Sequence, residues 1–134
     1  MSLATSLRDI LAPLSESDGV VAALILTHDG LPVEMVGHGV RADVLAAEAG
    51  ALGGTGRSAA ERLMLGDADG VSVTAPGYRL SCLLMEEYAL ALVLSGDAGG
   101  AALEAGRKLL PELRAALGEA PVGREAGAPG QDGT

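Results

Sequence analysis

Residues 20–37 read VVAALILTHDGLPVEMVG, and the fold turns on how this stretch is parsed. Val20 to Thr27 is an apolar run of strand length without alternation, the pattern of a central strand covered on both faces. His28-Asp29-Gly30 then supplies turn chemistry, with a glycine able to take positive φ. Beyond it Leu31, Val33 and Met35 alternate with Pro32 and Glu34. A proline and a charge both blunt a strand against further pairing, so the stretch predicts a hairpin that ends in an edge strand.

Upstream, Leu3, Leu7, Ile10, Leu11 and Leu14 recur at three- and four-residue steps, which predicts a short amphipathic helix ended by Ser15 to Gly19. Downstream, helical spacing returns from about Ala42 to Leu65, with Leu45, Ala49, Leu52, Ala59 and Leu63 as the stripe expected to pack on a sheet. Gly53, Gly54 and Gly56 each cost about 1 kcal/mol relative to Ala inside a helix, which leaves two shorter helices as an alternative. Gly70 to Ala75 alternates again, Pro76-Gly77 turns the chain, and strands over Tyr78 to Met85 and Tyr88 to Ser95 complete a three-strand meander. After a loop over Gly96 to Gly100, Leu103, Leu110, Leu113 and Leu117 mark a closing helix, with Pro111 as a candidate kink. These elements form one folded domain over residues 1–117. The remainder, residues 118–134, reads GEAPVGREAGAPGQDGT and holds too little apolar surface to offset its ordering entropy, so a disordered tail is expected.

Composition narrows the partners. The 134 residues are 49% hydrophobic, enough for a single core, and with neither Trp nor Phe that core must be built from aliphatic side chains. A formal charge of -9 opposes approach to nucleic acid or to anionic lipid. The lone Cys82 lies in an apolar run and reads as a buried structural thiol, which fits a reducing cytoplasm. Met1-Ser2-Leu3 does not open a signal peptide, and no apolar run reaches the roughly 20 residues a membrane span needs.

Chemistry-bearing motifs fail one by one. Residues 51–58, ALGGTGRS, resemble a phosphate-binding loop, but that motif needs Gly where Ala51 stands and Lys where Arg57 stands. It must also follow a strand and open a helix, whereas these residues sit inside a helical pattern. His28 and His38 have no second His or Cys at zinc-ligand spacing and read as solvated loop residues. Glu86-Glu87, Asp67 and Asp69 read as polar turns and loops, and no Gly-x-Ser-x-Gly elbow occurs. We therefore expect no catalytic residue, no metal ligand and no cofactor, and do not read the chain as an enzyme.

The order helix, two-strand hairpin, long helix, three-strand meander, helix, with VVAALILTHDGLPVEMVG and YALALVLS as its first and last strand segments, resembles the roadblock/dynein light chain family over about Ser6 to Leu117. That resemblance implies an α+β sandwich of roadblock/profilin-like type: a five-stranded antiparallel sheet with the long helix on one face and the terminal helices on the other. It also implies a homodimer through the third strand, Val71, Ser72, Val73 and Thr74. The residues agree independently, because GVSVTA carries neither proline nor charge and is open to pair with its own copy. A Val73→Pro change is expected to remove a backbone donor from that pairing. On the long helix, Ala46, Gly50, Gly53, Arg57, Ala60 and Met64 make a stripe suited to the symmetry-related helix; alternatively these small residues let the helix sit low on its own sheet.

Bacterial family members of similar size commonly act with Ras-like GTPases, by promoting hydrolysis allosterically or by scaffolding. The resemblance therefore implies a small GTPase as partner, with Arg57 and Arg62 as candidate contacts, although helix arginines more often only solubilise a surface. A small-ligand sensory domain of profilin-like fold is the alternative, weakened by the lack of aromatic and convergent polar residues. A hydrolase or transferase with a site split between subunits is the third reading.

Overall fold

The unbroken apolar run becomes β1, Val20–Thr27, and the computed structural model surrounds it with the rest of the domain; it describes residues 3–96 and 100–119, with side chains from Leu7 onward. The other elements are α1 (Leu3–Ser15), β2 (Pro32–Gly37), α2 (Ala42–Arg62), β3 (Gly70–Ala75), β4 (Tyr78–Leu84), β5 (Tyr88–Ser95) and α3 (Gly100–Leu117). All strand pairs are antiparallel, in the order β2-β1-β5-β4-β3. The two strands without polar alternation, β1 and β5, thus lie side by side in the interior of the sheet with cover on both faces, as the sequence predicts.

Alternate residues send their side chains to two separate cores. Ala23, Ile25, Leu83, Leu90, Leu92 and Leu94 pack with Leu7, Leu11 and Leu14 of α1 and with Ala102 and Leu113 of α3. Leu24, Leu26, Cys82, Leu84, Ala89 and Ala91 pack under Leu45, Ala46 and Ala49 of α2. Four of the nine buried residues of the second core are alanine, two of them on α2, so α2 lies close to the sheet. Gly50 shows how close, since a Cβ there would fall 2.9 Å from the Gly30 Cα in the β1–β2 turn. That approach explains why the glycine-rich stretch holds as one helix: seating on the sheet offsets the propensity cost.

Several expectations need correction. The long helix ends at Arg62, three residues before Leu65. Met64 N–H donates to Glu61 O and Leu65 N–H to Ala60 O, the paired bonds of a Schellman turn, with Met64 in the left-handed region at φ 56. β4 ends at Leu84, one residue early, and α3 continues through Pro111. Glu34 serves less as a free edge charge than as the partner of Arg8, 2.6 Å away on α1.

His28 is no solvated loop residue. Its Nε2 lies 3.0 Å from Met85 O and 3.2 Å from Tyr88 O, and two carbonyl acceptors require that this nitrogen carry the proton. The side chain therefore latches the β1–β2 turn to the β4–β5 turn. His38 is exposed. At the other end of the chain, Gly118 turns at φ 79 and the Glu119 carboxylate accepts the N–H groups of Glu86 and Glu87 at 3.0 and 2.9 Å. Structure thus continues two residues past the expected boundary at Leu117; residues 120–134 of the expected tail lie outside the described residues.

Candidate interaction surface at the β3 edge

β3 is the outermost strand on its side and five of its six residues are exposed. Which backbone groups face outward follows from the register. Leu84 N–H donates to Asp69 O at 2.9 Å, so the pair 69/84 is of the hydrogen-bonded kind. In an antiparallel ladder such pairs alternate with non-bonded ones. Val71↔Cys82, Val73↔Leu80 and Ala75↔Tyr78 are therefore the bonded pairs, and Gly70, Ser72 and Thr74 turn their N–H and C=O groups to the open edge. This corrects the role expected of Val73: its N–H serves the ladder inside the chain, so Val73→Pro would injure the fold, and Thr74 is the residue whose donor belongs to the edge.

Side chains make the edge apolar on one face. Val71 packs into the α2 core, and Val73, two residues on, shares that face but stands 48% exposed. Tyr78 and Leu80 lie on the same face of β4, and Tyr78 is also exposed. On the other face, Ser72 and the buried Ser81 join hydroxyls at 2.8 Å, a polar pair satisfied within the chain.

α2 is rolled relative to the expectation. Ala46 is 0% exposed and Ala60 and Gly53 are also buried against the chain's own sheet, so these three members of the proposed intersubunit stripe are not free to meet a second helix. Gly50 abuts Gly30. Conversely, Ala59 and Leu63, expected in the core, are exposed, Leu63 by 67%. Neighbouring stripes one residue apart differ by about 100° around the helix, and the smaller residues win the sheet because they permit the closer approach. The flank that overlooks β3 is marked by Gly56, whose Cβ would contact Val71; Leu52, Ala59 and Leu63 lie four before, three after and seven after it, on the same side. Val73 and Tyr78 are thus exposed on the face of the outer strands that α2 approaches at Val71.

The remaining candidates lie elsewhere. Arg62 is exposed on the helix surface, and Met64 stands 91% exposed past its end. Arg57 is half-buried, folded back toward Gly53, where a Cβ would sit 3.6 Å from its Nη1. Burial pulls its pKa below the ordinary value. Arg57 and Met64 line a groove of about 1010 Å³ at the end of the sheet that holds the β4–β5 turn, which the sequence did not announce. Cys82 is fully buried with its thiol pushed up to about 11 by that burial, so it stays protonated at neutral pH. Among the described residues no group of three His, Cys, Asp or Glu is placed to hold a metal ion, and no helix is long and apolar enough to cross a membrane.

No protein-family model matches the sequence, and no curated protein matches it. Solved structures do. A Roadblock/LC7 domain from Streptomyces avermitilis is 27% identical, with 82% of this chain and 96% of that one aligned at a TM-score of 0.75. The gliding protein mglB from Thermus thermophilus is 16% identical over 90% of this chain and 94% of its own, at a TM-score of 0.78. Profilin II from Acanthamoeba castellanii, also 16% identical, aligns over 84% and 96% at 0.57, which shows the more general fold. The chain thus has the fold of the Roadblock/LC7 domains, and the family resemblance read from its sequence holds in the structure.

Proposed function

We propose that this protein is a homodimeric regulator or scaffold that acts on a small Ras-like GTPase through protein contacts, in the cytoplasm and without a cofactor. The observation that carries the reading is the open β3 edge, with exposed Val73 on the face that α2 approaches and exposed Ala59 and Leu63 on the helix flank beside it. An unpaired strand beside exposed apolar side chains supports pairing with its own copy: backbone hydrogen bonds join the sheets, and the flank is covered by the partner's equivalent. The GTPase comes from the Roadblock resemblance, and the net charge of -9 speaks against nucleic acid as an alternative.

In this reading the chain supplies no catalytic group. It alters hydrolysis only by binding one arrangement of the GTPase switch region better than the others. Arg57 and Arg62 serve in this reading as contacts to the GTPase and not as catalytic groups aimed at the nucleotide. Affinity capture from the native lysate, loaded separately with GDP and with a non-hydrolysable GTP analogue, tests the reading. A small GTPase retained in one nucleotide state over the other is the expected result; no GTPase in either capture contradicts it.

A further inference from the structure

The groove at the end of α2 lies to one side of the flank that overlooks β3, because Arg57 projects about 100° around the helix from Gly56. Its floor is Leu84 and Met85, one lip is Met64, and Arg57 enters from the helix.

Three features make this more than a surface crevice. First, the Arg57 guanidinium is partly withdrawn from water, yet among the described residues no carboxylate lies within ion-pair distance of it, in a chain with 18 acidic residues. A cation drawn out of water without a counter-charge is unfavourable until one arrives. Second, Met64 occupies the left-handed position of the α2 C-terminal turn, where glycine is conformationally free, and holds a flexible apolar side chain in solvent. Strain retained at an exposed residue points toward a use for its side chain. Third, Glu61, Asp67, Asp69 and Glu86 also line the groove, so Arg57 stands among four carboxylates, while Arg114, the other arginine of the lining, is already paired with Glu119 at 4.0 Å.

We propose that this groove receives a segment of a protein partner that carries one carboxylate beside a large apolar side chain, in an otherwise basic stretch. The carboxylate meets Arg57, the apolar side chain fits between Met64 and the Leu84–Met85 floor, and the basic neighbours face the carboxylates of the lining. A free small anion satisfies only the first of these and is repelled by those carboxylates; a uniformly acidic segment fails for the same reason. The inference deepens the reading of the chain as a protein-interaction module, and needs neither a GTPase nor a dimer.

Three of the four methionines supply the probes: Met64 and Met85 line the groove, while Met35 packs against the α2 core elsewhere. The full chain with ¹³C-methyl methionine is titrated with the peptide acetyl-Lys-Leu-Glu-Leu-Lys-amide and with its Gln counterpart. Saturable shifts of the Met64 and Met85 methyls with Met35 unmoved, and at least tenfold weaker binding of the Gln peptide, are the expected results. Arg57→Gln should abolish the preference for Glu while the Met35 signal reports an intact fold. Equal affinity for the two peptides, no saturable shift, or shifts that include Met35 equally would each overturn the proposal. Because the wild-type comparison of two peptides involves no GTPase, its failure is distinct from failure of the nucleotide-dependent capture.

Discussion

Gly56 sits directly over Val71: a Cβ added to the glycine would fall 3.0 Å from the valine Cβ. This contact seats α2 on the outermost strand and turns the Leu52, Ala59 and Leu63 flank toward the open edge. A large side chain at position 56 must push the helix and strand apart. Gly56→Leu is therefore expected to lose about 1–3 kcal/mol of stability in urea denaturation, despite leucine's better helix propensity. Undiminished stability would mean that α2 is not seated on β3.

Two other glycines of the same helix should respond in opposite directions. A Cβ at Gly50 would meet the Gly30 backbone at 2.9 Å, where nothing can rotate aside, whereas at Gly54 nothing lies within 4 Å. Gly54→Ala should raise stability by roughly 0.5–1 kcal/mol through helix propensity, and Gly50→Ala should lower it by about 1–3 kcal/mol. Urea midpoints of the two variants in the same direction would contradict the close approach of α2 to the β1–β2 turn.

Cys82 predicts an alkaline limb. Its thiol ionises at an ordinary 9.0 once unfolded and at about 11 in the fold, because burial penalises the thiolate. Between those values the unfolded chain releases a proton that the folded chain keeps, so this contribution to stability is whole below pH 9 and lost as pH rises through 11. The full loss is about 2–3 kcal/mol. Measured against Cys82→Ala, which lacks the group, the wild type should lose stability more steeply across that window; parallel profiles would mean that the thiol is not buried as described.

Much of the architecture was legible in the chain, for reasons tied to particular residues. VVAALILT and YALALVLS carry no polar alternation, and only strands covered on both faces can be written that way, so their central places followed. The roll of α2 was not legible. Both of its candidate stripes have helical spacing, and only the fit onto the sheet, which buries Ala46, Gly53 and Ala60 together with Leu45 and Ala49, decides the orientation. The outward donors of β3 were within reach, because a two-residue turn at Pro76-Gly77 makes Ala75↔Tyr78 the closing pair and fixes the parity back to Thr74 and Ser72. The His28 latch and the Glu119 clamp depend on backbone groups more than thirty residues away, and no local pattern encodes such meetings.

Val71 to Thr74 lie on the outer strand, and on the helix beside them Leu52 packs partly against the core as expected, whereas Ala59 and Leu63, whose spacing is equally good for burial, are exposed.

Self-association through the β3 edge is the central claim of the proposed function, and light scattering coupled to size exclusion tests it on the wild type and on Thr74→Pro. Thr74 turns its N–H outward, so proline there removes a donor from the edge while leaving the bonds to β4 in place. The account predicts a wild-type mass of two 13.3 kDa chains and a folded Thr74→Pro protein with the mass of one. A monomeric wild type, or a Thr74→Pro variant that keeps the mass of two chains, would contradict it.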